Sequence, residues 1–300
     1  MVNNGLVSII IPTHKGSGNI CRAVDSALAQ SYCQIEVIVV DDNGRGSEEQ
    51  LKTEEAMAKY ADDLRVKYIV HEVNKNGSAA RNSGVRAAMG EYIAFLDDDD
   101  EFTPENIEQH INVLSGLAND YGATYCDMVQ IRPGMKNEVI GNSLSGDILE
   151  SFVLRKVSIG TCVVVLRREA MDHLKEWDES FKRHQDWEFM MRLLECYKIQ
   201  HIDNIGVKRY VTGRHSAPNP EVLSEYRLHF LNKMKYIFDK FDEHTRRAIY
   251  DMHYSEIGKA YFKKMNIGKC IAWAGKTSKP FKTMIGYFKS GIRYLRKLEK

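Results

Sequence analysis

The 300-residue chain has little of several things, and each shortage excludes a class of protein. Only 6 residues are proline, and the composition is 43% hydrophobic and 28% charged, which excludes disordered, collagen-like and low-complexity chains. No apolar run approaches the ~18 residues that cross a bilayer; the longest, Val7 to Ile11 and Ile35 to Val40, are strand-sized. The opening stretch MVNNGLVSIIIPTH has no basic leader, long apolar core or small-residue cleavage site, so no secretory signal is expected. The six cysteines (Cys21, Cys33, Cys126, Cys162, Cys196, Cys270) form no CxxC pair. They read as buried thiols of a reducing cytoplasm. No GxGxxG fingerprint follows any strand and no internal repeat is present, which disfavours a dinucleotide-dependent dehydrogenase, and with no GxGxxG or GKS/T near them Gly77 and Ser78 are not a phosphate loop.

Charge is also missing locally. The net charge of +1 hides a split: residues 1–200 hold 21 Lys and Arg against 32 Asp and Glu, a balance of −11, and residues 201–300 hold 21 against 9, or +12. A basic end of this kind meets something anionic. Nucleic acid is not the expected partner, because Arg-Gly-aromatic signatures are absent.

What is present in the first 130 residues is alternation. LVSIIIP reads as a buried strand ended by Pro12, and Ile20, Ala23, Val24, Ala27 and Leu28 follow at helical spacing. IEVIVV, VKYIV and the stretch Tyr92 to Leu96 are further strands. A charged helix through EEQLKTEEAMAKYA, a helix from Ala79 to Met89 and one from Pro104 to Leu117 lie between or after them. Strand–helix alternation of this kind predicts an α/β fold built on a mostly parallel, Rossmann-like sheet flanked by helices. The middle is less regular, with TYCDMVQI and TCVVVL as strands and DWEFMMRLLECY as an amphipathic helix, and 218–300 reads as a helical extension.

Ligands of open α/β sheets bind beyond the carboxyl ends of the strands. Three of the early strands end there in polar residues: Thr13-His14, Asp41-Asp42-Asn43 and Asp97-Asp98-Asp99-Asp100. Four consecutive acids repel one another unless a cation sits among them. Carboxylate oxygens suit Mg²⁺ or Mn²⁺ shared with a diphosphate, whereas a solvated acidic turn before Pro104 is the plain alternative.

These residues also resemble a known family. NGSAARNSGVRAAMGEYIAFLDDDDEFTPENIEQHI is similar to the ARN…FLDxDD…P pattern of family 2 glycosyltransferases of GT-A fold. VSIIIPTH and IEVIVVDDN resemble that family's first two strands, and HQDWEFMMRL its acid–aromatic helix. The likeness spans about 1–215. It implies a nucleotide-sugar-binding and catalytic domain over 1–217, with 216–300 carrying no family motif and 218–300 forming the helical extension.

The resemblance further implies an enzyme that moves a sugar from a nucleotide-diphosphate sugar, uridine being the expected base, to an acceptor hydroxyl with inversion. The setting would be cell-surface polysaccharide or glycan assembly, with a saccharide or lipid-linked saccharide as acceptor. It assigns Asp186 as general base. Pro12, Thr13, Asp41 or Asp42, Arg81, Asp97 and Asp98 go to the nucleotide, with Asp99 and, in YVTGRHS, His215 to a Mn²⁺ or Mg²⁺ ion. Gly77 and Ser78 are read as the N-cap of the Arg81 helix, and Asp186 would suit an N-cap as well. A sugar-nucleotide pyrophosphorylase or a non-catalytic glycan-binding relative are the competing readings. The first lacks its glycine-rich basic loop, since PTHKGSGN holds one lysine. In the tail, Phe281, Met284, Ile285, Phe288, Ile292 and Leu295 make an apolar stripe flanked by Lys282, Lys289, Arg293 and Arg296. This predicts a helix on an anionic membrane surface, with packing on the protein's own core or a homodimer as alternatives. The expected location is cytoplasmic, peripheral to the inner face of the membrane.

Overall fold

A computed structural model of the chain describes residues 3–211, 219–287 and 289. The chain divides into two compact units, 1–214 and 215–300.

In the first unit the elements run β1 (Asn3–Thr13), α1 (Ile20–Leu28), β2 (Ile35–Asp41), α2 (Glu48–Met57), β3 (Val66–Val70), α3 (Gly77–Ala87) and β4 (Gly90–Phe95). They continue with β5 (Asp100–Phe102), α4 (Asn106–Leu114), β6 (Tyr121–Ile131), β7 (Glu138–Ile140), α5 (Leu149–Val153), β8 (Val164–Arg167), α6 (Arg168–Leu174), α7 (Gln185–Cys196) and β9 (Lys198–Tyr210). The strands form one sheet in the order β3-β2-β1-β4-β8-β6-β9-β5, with β7 on β6. β1 to β4 are parallel, as the alternation requires, because each crossover is a helix. From β4 outward the sheet is mixed: β8 runs antiparallel to β4 and β6, whereas β9 runs parallel to β6 and antiparallel to β5.

Burial explains the central strands. Ile9, Ile10 and Ile11 of β1 and Val37 to Val40 of β2 are wholly buried, as expected of strands covered on both faces. α1 lays Ile20, Ala23, Val24 and Ala27 on the sheet. α3 comes so close to β1 that a Cβ on Gly84 would lie 2.3 Å from Ile10 Cγ2, so only glycine allows the approach.

Several expectations need correction. Thr161–Val163, read as the start of a strand, is a 3-10 turn, and the strand begins at Val164. The N-cap of α3 is Asn76, whose side chain accepts from the Ala79 amide; Gly77 and Ser78 lie in the first turn. α7 is preceded by His184 in a left-handed conformation (φ 66°), which places Asp186 inside the helix instead of at its cap. Among the cysteines, Cys126, Cys162 and Cys270 are buried, whereas Cys33 and Cys196 are exposed.

The second unit contains α8 (Pro220–Lys233), α9 (Lys235–Phe238), α10 (Glu243–Lys263) and α11 (Ile267–Gly275), followed by helical residues 280–287. Asn219, Asp242 and Asn266 each cap the following helix through a side-chain oxygen. Ile257, Tyr261, Cys270, Ala274 and Tyr287 make a core there, with Met284 packed against it. Of the tail stripe, Met284 therefore packs inward, Phe281 and Ile285 are 81% and 41% exposed, and Phe288, Ile292 and Leu295 lie outside the described residues. Among the described residues no helix is long and apolar enough to cross a membrane.

Candidate active site

The carboxyl ends of β1, β2 and β4 lie side by side, Thr13 being in register with Asp41. Thr13 Oγ1 donates to Asp98 Oδ2 at 2.5 Å, tying the end of β1 to the acidic turn after β4. Gly16 permits this: a Cβ there would fall 1.8 Å from Asp98 Oδ2 and 2.4 Å from Thr13 Oγ1. Pro12, half-buried, sits opposite Val40 one residue earlier.

The two acids ending β2 are buried and hold protein groups. Asp41 accepts from the Asn43 amide at 2.8 Å and from Tyr68 OH at 2.6 Å. Asp42 meets His71 Nδ1 at 2.7 Å and accepts from Asn74 Nδ2, the Lys75 amide and the Asn76 amide at 2.8–2.9 Å. Asp42 thus shapes the 74–76 loop, including Asn76, whose φ of 141° no ordinary residue favours.

α3 carries two functional side chains in its ARN run. Arg81, buried, donates from Nη2 to Asp97 Oδ1 at 2.9 Å and from Nη1 to Gln185 Oε1 at 3.4 Å. Asn82 brackets the Trp177 backbone, accepting from its amide at 2.7 Å and donating to its carbonyl at 3.0 Å. Trp177 stacks on Phe189 of α7 at 4.1 Å, meets Phe95 of β4 edge-on at 5.3 Å and takes the Arg81 guanidinium 4.9 Å from its ring. Sheet, α3 and α7 are locked around one aromatic block.

The acid run divides by role. Asp97 faces Arg81, and Asp98 faces Thr13. Asp99 lends its backbone carbonyl to Arg22 Nη2 at 2.5 Å, with that guanidinium 3.9 Å over the Tyr210 ring. Asp100 is 1% exposed. Burial and the neighbouring Asp97 and Asp99 charges push its carboxyl up to about 8. Its Oδ1 accepts from the Tyr210 amide at 3.3 Å, while Oδ2 is buried with no hydrogen-bond partner. Ligating atoms of Asp97, Asp100 and Cys162 lie within 4.8 Å of one another. Burial, followed by the Asp100 and Asp97 charges, raises the Cys162 thiol well above its usual range. An orphaned buried carboxylate oxygen among like charges is what a divalent cation relieves, so the donor set fits one.

Asp186 belongs to the same neighbourhood. Thr161 Oγ1 donates to its Oδ1 at 3.4 Å. Its carboxyl is raised above the ordinary range by burial and the Asp97 charge, against the pull of Arg81 and Arg209. Three successive residues of α7 therefore reach three places: Gln185 to Arg81, Asp186 to Thr161, and Trp187 to a stack between His184 (4.5 Å) and the Arg155 guanidinium (4.0 Å). His215 lies outside the described residues.

Sequence reasoning missed Arg209, Cys162, Thr161 and Gln185. Arg209 stands opposite Asp100 in the β5–β9 pairing and is raised by the Cys162, Asp100, Asp97 and Asp186 charges despite burial. Its signal was the near-alternating KIQHIDNIGVKRY, which forms β9.

Residues 8–174 match the family model described as Glycosyl transferase family 2. The chain is 25% identical to the amylovoran biosynthesis glycosyltransferase AmsB of Erwinia amylovora, over 80% of this chain and 81% of that one. It is also 25% identical to the UDP-Glc:alpha-D-GlcNAc-diphosphoundecaprenol beta-1,3-glucosyltransferase WfgD of Escherichia coli, over 84% and 93%. Among solved structures, S. aureus TarS 1-349 in complex with UDP superimposes with a TM-score of 0.61 at 17% identity, covering 96% of this chain and 91% of that one. That likeness concerns the fold.

Proposed function

This chain belongs to glycosyl transferase family 2 and is a glycosyltransferase of GT-A fold, and from that premise we propose that it transfers a sugar from a uridine-diphosphate sugar to an acceptor hydroxyl, with inversion, in polysaccharide assembly. The observation that carries the reading is the meeting of Arg81, Asp97 and the first turn of α7, which puts a raised carboxylate, Asp186, beside the acid run. WfgD, by its name, uses UDP-Glc, and TarS was crystallised with UDP; both support the choice of base.

In the proposed reaction the acceptor oxygen attacks the anomeric carbon from the face opposite the diphosphate. Asp186 takes the hydroxyl proton as the new bond forms, and the bonding pair of the old linkage leaves with the diphosphate. Thr161 orients the base through Oδ1. Arg81, fixed between Gln185 and Asp97, adds positive charge where the leaving group builds negative charge. Thr13 with Asp41 and Asp42 forms the nucleoside end, and Asp98 anchors Thr13. Mn²⁺ or Mg²⁺ would be held by Asp97 and Asp100 with Asp99 and Cys162 close by, His215 being the family's further ligand. When bound it supplies Lewis-acid neutralisation of the departing diphosphate.

A nucleotide panel read by thermal shift with Mn²⁺ tests the donor. A ligand at 100 times its Kd raises stability by ~2.7 kcal/mol, and stronger protection by GDP than by UDP would sink the uridine assignment. For the tail, exposed Phe281 and Ile285 beside Lys282 and Lys289 support docking on anionic lipid. Cosedimentation with anionic vesicles, full chain against residues 1–279, separates this from self-packing or dimerisation.

A further inference from the structure

The strand that follows the acid run is held from outside its own sheet. β5 is three residues long, lies at the end of the sheet and is paired by β9 alone. So short an edge strand, with backbone groups turned away from its partner, does not fix its own position. α1 packs against it, and three side chains spaced four apart on that helix and its end, Arg22, Ser26 and Gln30, reach its main chain. Arg22 Nη2 donates to the Asp99 carbonyl at 2.5 Å, and Ser26 Oγ accepts from the Phe102 amide at 3.1 Å. Gln30 donates to the Thr103 carbonyl at 2.8 Å and accepts from the Ile107 amide at 2.9 Å. α1 is thus a splint along residues 99–107.

Arg22 is the end of the splint that meets the acids. The oxygen it holds belongs to the peptide joining Asp99 to Asp100, and the N–H of that peptide donates to the Asp97 carbonyl at 3.1 Å. A planar unit held at both its oxygen and its N–H cannot turn, so the directions in which Asp99 and Asp100 leave the chain are set together. The Asp97 bond also closes the turn in which ligating atoms of Asp97 and Asp100 lie within 4.8 Å of each other. The guanidinium is itself braced, 3.9 Å over the Tyr210 ring. From there the Tyr210 amide donates to Asp100 Oδ1 at 3.3 Å and its hydroxyl to Glu101 Oε2 at 2.8 Å. Arg22 meets the turn through a main-chain carbonyl, a contact that orients backbone, although four carboxylates stand in the same run.

We propose that Arg22 is a positioning residue for the divalent cation: braced on Tyr210, it fixes the peptide between Asp99 and Asp100 and with it the placing of the carboxylates that would share the ion. The inference rests on the metal-assisted transferase reading and deepens it. Groups that orient ligands without touching a metal govern its affinity nearly as strongly as the ligands do. The sign of the effect separates this role from plain electrostatics. A cation near a cation site repels the ion, so a guanidinium acting only by its charge would weaken Mn²⁺ binding, and its removal would tighten it.

The test counts free Mn²⁺ by electron paramagnetic resonance as the full chain is titrated with the ion, with and without UDP, and measures UDP affinity in EDTA by calorimetry. Arg22→Ala and Tyr210→Ala are each expected to weaken Mn²⁺ binding about 10- to 100-fold, with the double variant no worse than the weaker single one. UDP affinity in EDTA should be unchanged. Tyr210→Phe, which keeps the ring and the amide, should hold Mn²⁺ like the parent. Arg22→Lys should weaken Mn²⁺ in the same direction, which serves if Arg22→Ala does not fold. Mn²⁺ affinity that is unchanged or tighter in the Arg22 variants overturns the proposal, even if their melting temperatures fall. An equal loss of UDP affinity in EDTA also overturns it, by making Arg22 part of the nucleotide site. A parent that takes up no Mn²⁺ with or without UDP overturns the cation reading and the positioning role together. A parent that takes up Mn²⁺ in an Arg22-dependent way but binds no UDP defeats the donor reading and leaves the positioning role standing.

Discussion

Arg81 Nη2 stands 2.9 Å from Asp97 Oδ1, and the arginine is the more deeply buried partner, with side-chain exposures of 9% and 34%. Buried cations of this kind hold a geometry more than they add stability, because desolvation offsets much of the attraction. Here the geometry is that of two tines of one guanidinium reaching Asp97 and Gln185.

Arg81→Lys therefore should not substitute for Arg81. A point charge cannot span both partners, so UDP affinity in Mn²⁺ is expected to fall about tenfold or more in Arg81→Lys and Arg81→Ala alike. Calorimetric titration of UDP measures this, and a lysine variant that binds like the parent would refute the paired role.

Asp186→Asn should lower kcat about 10²- to 10⁴-fold while UDP affinity stays nearly constant, since a base acts in the transition state. Asp99→Ala is expected to fail differently, by weakening metal-dependent donor binding. The acid limb of the parent's kcat profile should lie above the ordinary aspartate range, following the upward shift of Asp186. Equal loss of UDP binding in both variants would reverse the assignment.

Gly16→Ala should destabilise by about 1–3 kcal/mol and weaken UDP binding, because its Cβ overlaps the Thr13–Asp98 bond. Gly18→Ala, two residues on, meets nothing within 4 Å and is expected to be neutral. Urea midpoints of the pair decide it; equal midpoints would contradict the close approach.

His110 gives a pH dependence remote from the acids. It is fully enclosed, meets Thr124 Oγ1 at 2.7 Å through Nδ1, and burial lowers its pKa to about 3. Its folded value lies below the unfolded value of about 6.5, so its contribution is complete above pH ~6.5 and is lost as pH falls toward ~3. The loss relative to His110→Gln should be on the order of a few kcal/mol. Parallel stability–pH curves for parent and variant would show that His110 does not titrate in this way.

The sheet and the acid run were legible because their signals are local. A buried parallel strand is a short apolar run, and Asp-Asp-Asn-Gly or four aspartates stop it visibly. Arg209, Thr161 and Cys162 were not legible, because each acquires its place through pairing across distant sequence. Arg209 meets Asp100 only when β9 closes on β5, and Thr161 meets Asp186 only when the turn before β8 reaches α7. Likewise the N-cap of α3 passed to Asn76, since Asp42, far upstream, fixes the backbone on which that cap depends.

The stacked rings of Trp177 and Phe189 also dictate how this enzyme could be recombined with its relatives. A chimera cut between them would ask two unrelated sequences to rebuild a contact 4.1 Å deep, with Phe95 and the Arg81 guanidinium on the remaining sides. Crossovers placed before Trp177 and after Cys196 keep the rings and Asp186 on a single inherited segment. They also leave the β6–β7 excursion, where Met135 and Val139 face solvent, untouched and outside the exchanged segment.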